Sequence, residues 1–81
     1  METIRDLLNR IRWDDGFGEG TFEVGIYDRV DDAVVFHALE ELHMERGNHF
    51  SFTMTVDGEV LAIPFHRIRE VRKNGMAIWS R

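Results

Sequence analysis

The dipeptides Asp57-Gly58 and Asn74-Gly75 constrain this chain more than any other feature. Each stands between alternating arms, where Asp-Gly or Asn-Gly signals a two-residue type I′ hairpin turn. So short a loop sets the register of the strands it joins. In "HFSFTMTV-DG-EVLAIPF" it places Val56 opposite Glu59, Met54 opposite Leu61, Phe52 opposite Ile63 and Phe50 opposite Phe65. All but Glu59 are apolar and share one face, which is therefore expected to be core. Ser51, Thr53 and Thr55 fall on the other face. In "REVRK-NG-MAIW" the same rule sets Arg72 opposite Ala77, Val71 opposite Ile78 and Glu70 opposite Trp79. Val71 and Ile78 then mark the inward face, and Arg72 and Trp79 become diagonal neighbours on the outward one.

Between the hairpins lies "PFHRIRE", in which Phe65, Ile68 and Val71 are three apart. The alternation slips phase there, and a 3₁₀ turn at His66–Arg67–Ile68 absorbs the slip. Such a turn buries Phe65 and Ile68 and turns His66, Arg67 and Arg69 outward.

The remaining elements follow from periodicity. Ile4, Leu7, Leu8 and Ile11 form one helical stripe, with Thr3 as cap and an end expected by Trp13. "DDGFGEG" follows a helix and opens a strand, the reverse of a phosphate-binding glycine loop, so it reads as a connector. In "TFEVGIYDRV", Phe22, Val24 and Ile26 point one way, while Glu23, Gly25, Tyr27 and Arg29 point the other. By the same alternation Asp28 points inward, where an Asp–Arg brace of the basic loop would satisfy it. "DD" at 31–32 is a turn, "AVVFH" a short strand, and "ALEELHMERG" a short helix closing on Gly47. The architecture expected is α+β: one domain over residues 1–81, with an antiparallel sheet of five to six strands, open or curled toward a barrel, covered by an N-terminal helix.

Charge is strongly polarised. The chain carries −5 overall. From His66 to Arg81, however, there are five Lys/Arg against one acid, while the other 65 residues hold five Lys/Arg against fourteen acids. A local basic strip can hold phosphate while an acidic remainder discourages indiscriminate adhesion to polyanions. Arg67, Arg69 and Arg72 offer guanidinium forks suited to phosphate, and Trp79 beside Arg72 would add a stacking face. Tyr27 and Arg29 share the outward face of the first strand and join the strip if that strand lies close.

No cysteine is present, which removes thiolate catalysis, disulfides and cysteine zinc sites, and suits a reducing cytoplasm. No apolar run approaches the length of a membrane span, and no secretory signal is expected. Of the four histidines, His37, His43, His49 and His66, only His66 has a basic setting. His37 with Glu41 has i,i+4 spacing, but a third ligand is lacking, so neither a metal nor another cofactor is expected. The acid pairs Asp14/Asp15 and Asp31/Asp32 read as turn residues.

"IRDLLNRIRWD", "YDRV" at 27–30 and above all "IPFHRIREVRKNGMAIWSR" at 63–81 resemble, in the same order and over nearly the whole chain, a small, mostly archaeal, long uncharacterised family: the RNA cyclic group end recognition domain. Its members occur alone or fused to RNA-end-processing domains such as 2H phosphoesterases. The resemblance implies a non-catalytic module that recognises RNA ends bearing a 2′,3′-cyclic phosphate or similar group, with RNA-end-processing enzymes as further partners. Carried over, it makes His66 and Arg67 the end-group contacts, Arg29 and Arg69 their support, and Tyr27 or Trp79 the platform for base or ribose. Nothing is carried over to residues 38–49. Two rival readings remain open at this point. One is an RNA-end phosphodiesterase with His66 as general base. The other is an adaptor that docks a processing enzyme through its sheet face.

Overall fold

The computed structural model describes residues 2–14, 16, 18–45, 47, 48 and 50–81. Asp15 and His49, considered above, lie outside the described residues.

The helix α1 spans Ile4–Trp13 and starts where Thr3 Oγ1 accepts a hydrogen bond from the Asp6 amide at 3.2 Å. Its apolar stripe, Ile4, Leu7, Leu8 and Ile11, is buried. Six strands follow: β1 (Phe22–Asp28), β2 (Ala33–Ala38), β3 (Ser51–Val56), β4 (Glu59–Pro64), β5 (Ile68–Lys73) and β6 (Met76–Ser80). They form an antiparallel four-stranded sheet of order β2-β1-β5-β6 and a separate β3-β4 hairpin. The sheet stays open, with β2 and β6 as its edges, so of the two expected forms the closed barrel is not adopted.

One core joins these parts. The helical stripe packs with Phe22, Val24 and Ile26 of β1, Phe52 and Met54 of β3, Phe65, and Ile68 and Val71 of β5. Six of its side chains (Phe52, Leu7, Leu8, Ile68, Val24 and Val71) are almost wholly removed from water. Truncating Phe52, Leu7, Leu8 or Ile68 to Ala would cost about 2–5 kcal/mol through lost transfer energy and the cavity left behind. That is a large share of what a domain this small can hold in reserve.

Both hairpin turns form as read. Asp57 and Gly58 have φ of 51° and 80°, Asn74 and Gly75 of 50° and 83°, the left-handed pair a type I′ turn needs. The β3-β4 register is the one expected, from Val56↔Glu59 through Phe52↔Ile63 to Ser51↔Pro64. Three positions expected in the core depart: Val56 and Leu61, which are exposed, and Phe50. The Phe50 carbonyl accepts from the Phe65 amide at 3.0 Å, yet its ring is 83% exposed rather than core.

The predicted helix at 38–47 is also corrected. Among the described residues of that stretch a single 3₁₀ turn forms, Leu39–Glu41, with Glu41 Oε2 accepting from the Ala38 amide at 2.9 Å. His43 leaves it to exchange backbone hydrogen bonds with Thr53, at 2.7 and 2.9 Å. A bridge to the edge of β3 thus replaces further helical turns.

Candidate functional site

The phase slip after β4 is taken up by a 3₁₀ turn over Phe65–Arg67. Phe65 and Ile68 point into the core. His66 is exposed, and Arg67 is half-buried. The turn is clamped by a residue that sequence reading left without a role. Arg81 donates from Nε to the Ile68 carbonyl at 3.0 Å and from Nη2 to the Phe65 carbonyl at 3.4 Å. Its own amide donates to the Arg69 carbonyl at 3.0 Å. A guanidinium has five donors in a fixed plane, so one side chain can hold both ends of the turn.

Two bulges then decide which side chains share a face. Against β1, Gly25 pairs with Glu70 but Ile26 pairs with Ile68. Arg69 is the extra residue. Its guanidinium lies over the Tyr27 ring, 5.4 Å from the centroid. The Tyr27 hydroxyl donates to Asp32 Oδ1 at 2.6 Å. That bond holds the phenol proton and raises its pKa above the ordinary 10.0, helped by partial desolvation and the charge of Asp28, and opposed by Arg69 and Arg29. Arg29, exposed in the β1–β2 turn, therefore belongs electrostatically to the same corner as Arg69 and Tyr27.

The second bulge corrects the expected register of β5 and β6. Arg72 pairs with Ala77 as read, but Val71 pairs with Trp79, leaving Ile78 unmatched and 38% exposed. Trp79 thus shares the inward face with Val71 and packs against the core. Its indole N–H donates to the Glu2 carbonyl at 2.9 Å, and Arg81 lies over its ring at 4.9 Å. Arg72 and Trp79 are not neighbours on the outer face. Arg72 instead ion-pairs through Nε with Glu70 Oε2 and lies 4.0 Å above the Phe36 ring. Phe36 can lie there because Gly25, its partner across the strands, has no side chain. A Cβ at that position would stand 2.9 Å from Phe36 Cε1 and 2.8 Å from Val34 Cγ1.

The expected Asp28–Arg brace is replaced by an Asx turn. Asp28 Oδ1 accepts from the amides of Val30 at 2.8 Å and Asp31 at 3.3 Å. Both carboxylates nearest Tyr27 are thus engaged by donors other than arginine. Among the described residues the ion pairs are Arg10–Glu2 at 2.9 Å, Arg72–Glu70, and His37–Glu41 at 3.8 Å. Arg29, Arg67 and Arg69 are in none of them. Of the seven residues singled out from the sequence, the structure gathers Tyr27, Arg29 and Arg69 at one corner. It sets His66 and Arg67 on the turn leading into it, and engages Arg72 and Trp79 elsewhere.

Beside Arg67 a pocket of about 430 Å³ opens between the β1-β2 ribbon and the hairpin. Ile26, Val35, Met54, Val56, Leu61 and Ile63 form most of its wall, and Tyr27, Asp28, His37 and Arg67 are its polar lining. Mostly apolar walls with a few convergent polar groups are the usual makeup of a small-ligand site. Among the described residues no three His, Asp or Glu side chains are grouped to hold a metal. No helix among them is long and apolar enough to cross a membrane.

Fold and site together define a small α+β domain that carries an arginine-rich corner, three of whose guanidinium groups are paired to no carboxylate among the described residues, next to a partly apolar pocket. The chain belongs to the MJ1316 RNA cyclic group end recognition domain family, whose model matches residues 1–81. A relative from Metallosphaera sedula, named UPF0248 protein, is 37% identical over 79 residues, covering 98% of this chain and 92% of its own. No solved structure matches the chain.

Proposed function

We propose that this domain is a non-catalytic RNA-binding module, and that it recognises strand ends carrying a 2′,3′-cyclic phosphate. The family description supports the coarse reading. The observation that carries the finer one is that Arg29, Arg67 and Arg69 form no ion pair among the described residues of an otherwise acidic protein. A cyclic phosphate is a compact monoanion, matched by one guanidinium fork and an imidazole N–H through charge-assisted bonds. In this reading Arg67 and His66 contact the end group. Arg69, seated on Tyr27, and Arg29 add positive potential, while the apolar walls beside Arg67 receive the terminal ribose and base. Trp79 acts indirectly, through Arg81 and the turn it clamps.

The test is NMR titration with matched oligoribonucleotides ending in cyclic phosphate, 3′-phosphate or hydroxyl. Tightest binding of the cyclic end, with shifts at His66, Arg67 and Tyr27, is expected. Equal affinity for the three ends would overturn end recognition. Opening of the cyclic phosphate that disappears in His66→Ala would overturn the non-catalytic reading.

A further inference from the structure

On the other side of the 65–67 turn lies a second pocket, of about 530 Å³, between α1 and the residues Met44, Glu45, Gly47 and Asn48. Arg5, Asn9 and Arg12 line it from one face of α1, one helical turn apart, with Trp13 at the helix end. Trp13 is 77% exposed. An indole this open contributes little to the core, and its ring face is free to take a stacking partner. Arg12 lies beside it, 5.8 Å from the ring centroid, and its only other described bond is a long one of 3.5 Å to the Met44 carbonyl. Arg5 forms no ion pair among the described residues. Glu45 is the one carboxylate in the described lining. Two cations, an open aromatic face and an amide therefore meet in one concavity, a combination complementary to a nucleotide rather than to an apolar peptide.

The location bears on the first site. Phe65 lines this pocket, Arg67 lines the other, and exposed His66 stands between them in the chain. We propose that the helix-side pocket is a second nucleotide site, which stacks an upstream base of the same single-stranded RNA on Trp13 and holds its phosphate with Arg5 and Arg12. The inference rests on the RNA-end reading for the polarity of the strand, but not for the contact itself.

The experiment measures affinity of the intact chain and of Trp13→Ala, Trp13→Phe and Arg5→Ala. Three probes are used: a nucleoside 2′,3′-cyclic monophosphate, a tetraribonucleotide with that end, and the same tetranucleotide with a hydroxyl end. Trp13 is exposed, so its replacement leaves the fold intact, which thermal melting checks. The intact chain should bind the cyclic-ended tetranucleotide more tightly than the mononucleotide and show quenched indole fluorescence. Trp13→Ala should lose about tenfold on the tetranucleotide, leave the mononucleotide unchanged, and be largely rescued in Trp13→Phe. Arg5→Ala should weaken both tetranucleotides. Tetranucleotide affinity unaltered in Trp13→Ala overturns the second site and leaves the RNA-end reading standing. Equal, Trp13-dependent binding of cyclic and hydroxyl ends overturns the RNA-end reading and leaves the second site standing. Indole fluorescence that no RNA quenches overturns the second site and turns the search for its occupant toward proteins.

Discussion

Arg81 spans the two ends of the 65–67 turn, with its guanidinium on the Phe65 and Ile68 carbonyls. The residue that sets the turn and the residues that the turn presents are thus far apart in sequence. Arg81→Ala removes both bonds and the cation over Trp79. Hydrogen bonds from a charged donor contribute about 1.5–3 kcal/mol in favourable settings. Arg81 is solvent-exposed, so the loss expected here is nearer 1 kcal/mol. A chemical-denaturation midpoint measures it. Affinity for the cyclic end should fall further than stability alone explains, because His66 and Arg67 lose their fixed spacing. Arg81→Lys should not restore it, since an ammonium lacks the planar fork.

The phenol of Tyr27 offers a spectroscopic reporter of the corner. It is the chain's one tyrosine, so its ultraviolet titration is read without overlap from another phenol. Its midpoint should lie above 10.0, because the neutral hydroxyl is the donor to Asp32. The folded pKa is raised, so the contribution to stability is fully present below the unfolded pKa and is lost as pH rises through the folded one. Asp32 has φ of 49°, which glycine adopts without strain. Asp32→Gly therefore removes the acceptor while keeping the turn. The midpoint should then fall, because Arg69 and Arg29 would act on the phenolate without that opposing bond.

How much of this was legible in the sequence depends on how local the cause is. The β3-β4 register followed from a two-residue turn, and a 3₁₀ turn between the hairpins from the three-residue spacing of Phe65 and Ile68, although it forms over 65–67, one residue earlier than the 66–68 expected. The bulge opposite Val71 did not follow. Ile78 and Trp79 are both large and apolar, so alternation alone could send either one inward, and packing against the core and the Glu2 carbonyl selects Trp79. Strand neighbours were equally hidden. Nothing in the two hairpins states that β5 pairs with β1 while β3-β4 stays apart. The pairing of Arg72 with Glu70 could have been suspected from their spacing, since residues two apart on a strand share a face. Trp13 was visible only as a helix end. Its exposure depends on how Met44, Glu45, Gly47 and Asn48 meet α1, which no periodicity encodes.

Gly25 tests whether the outer face is held by shape. The close approaches to Val34 and Phe36 mean that Gly25→Ala must move both of them. The Phe36 ring can swing toward solvent, but it then leaves Arg72, which lies 4.0 Å above it. A loss of about 1 kcal/mol, at the low end of overpacking costs, is expected. Thermal unfolding measures it. In Phe36→Ala/Gly25→Ala the glycine substitution should cost less than it does alone, because only Val34 then has to give. An equal cost in both backgrounds would place the strain at Val34 instead.

Arg67 and Arg72 are both half-buried arginines of the basic strip, but among the described residues only Arg72 has a carboxylate partner. That difference predicts opposite profiles. Arg67→Ala should leave the melting temperature nearly unchanged, because no ion pair is broken, and should abolish discrimination between cyclic and hydroxyl ends. The salt dependence of binding should become shallower by about 0.7 in log–log slope, the value for one phosphate contact on a single strand. Arg72→Ala should behave the other way. It leaves Glu70 without its cation and uncovers Phe36, so stability falls by about 1 kcal/mol, scaled down for a half-exposed pair. End discrimination should survive. Parallel melting curves and salt titrations of the two variants decide the matter. Equal loss of discrimination in both would mean that the ion pair with Glu70 opens when RNA binds, and that the anion site extends along β5.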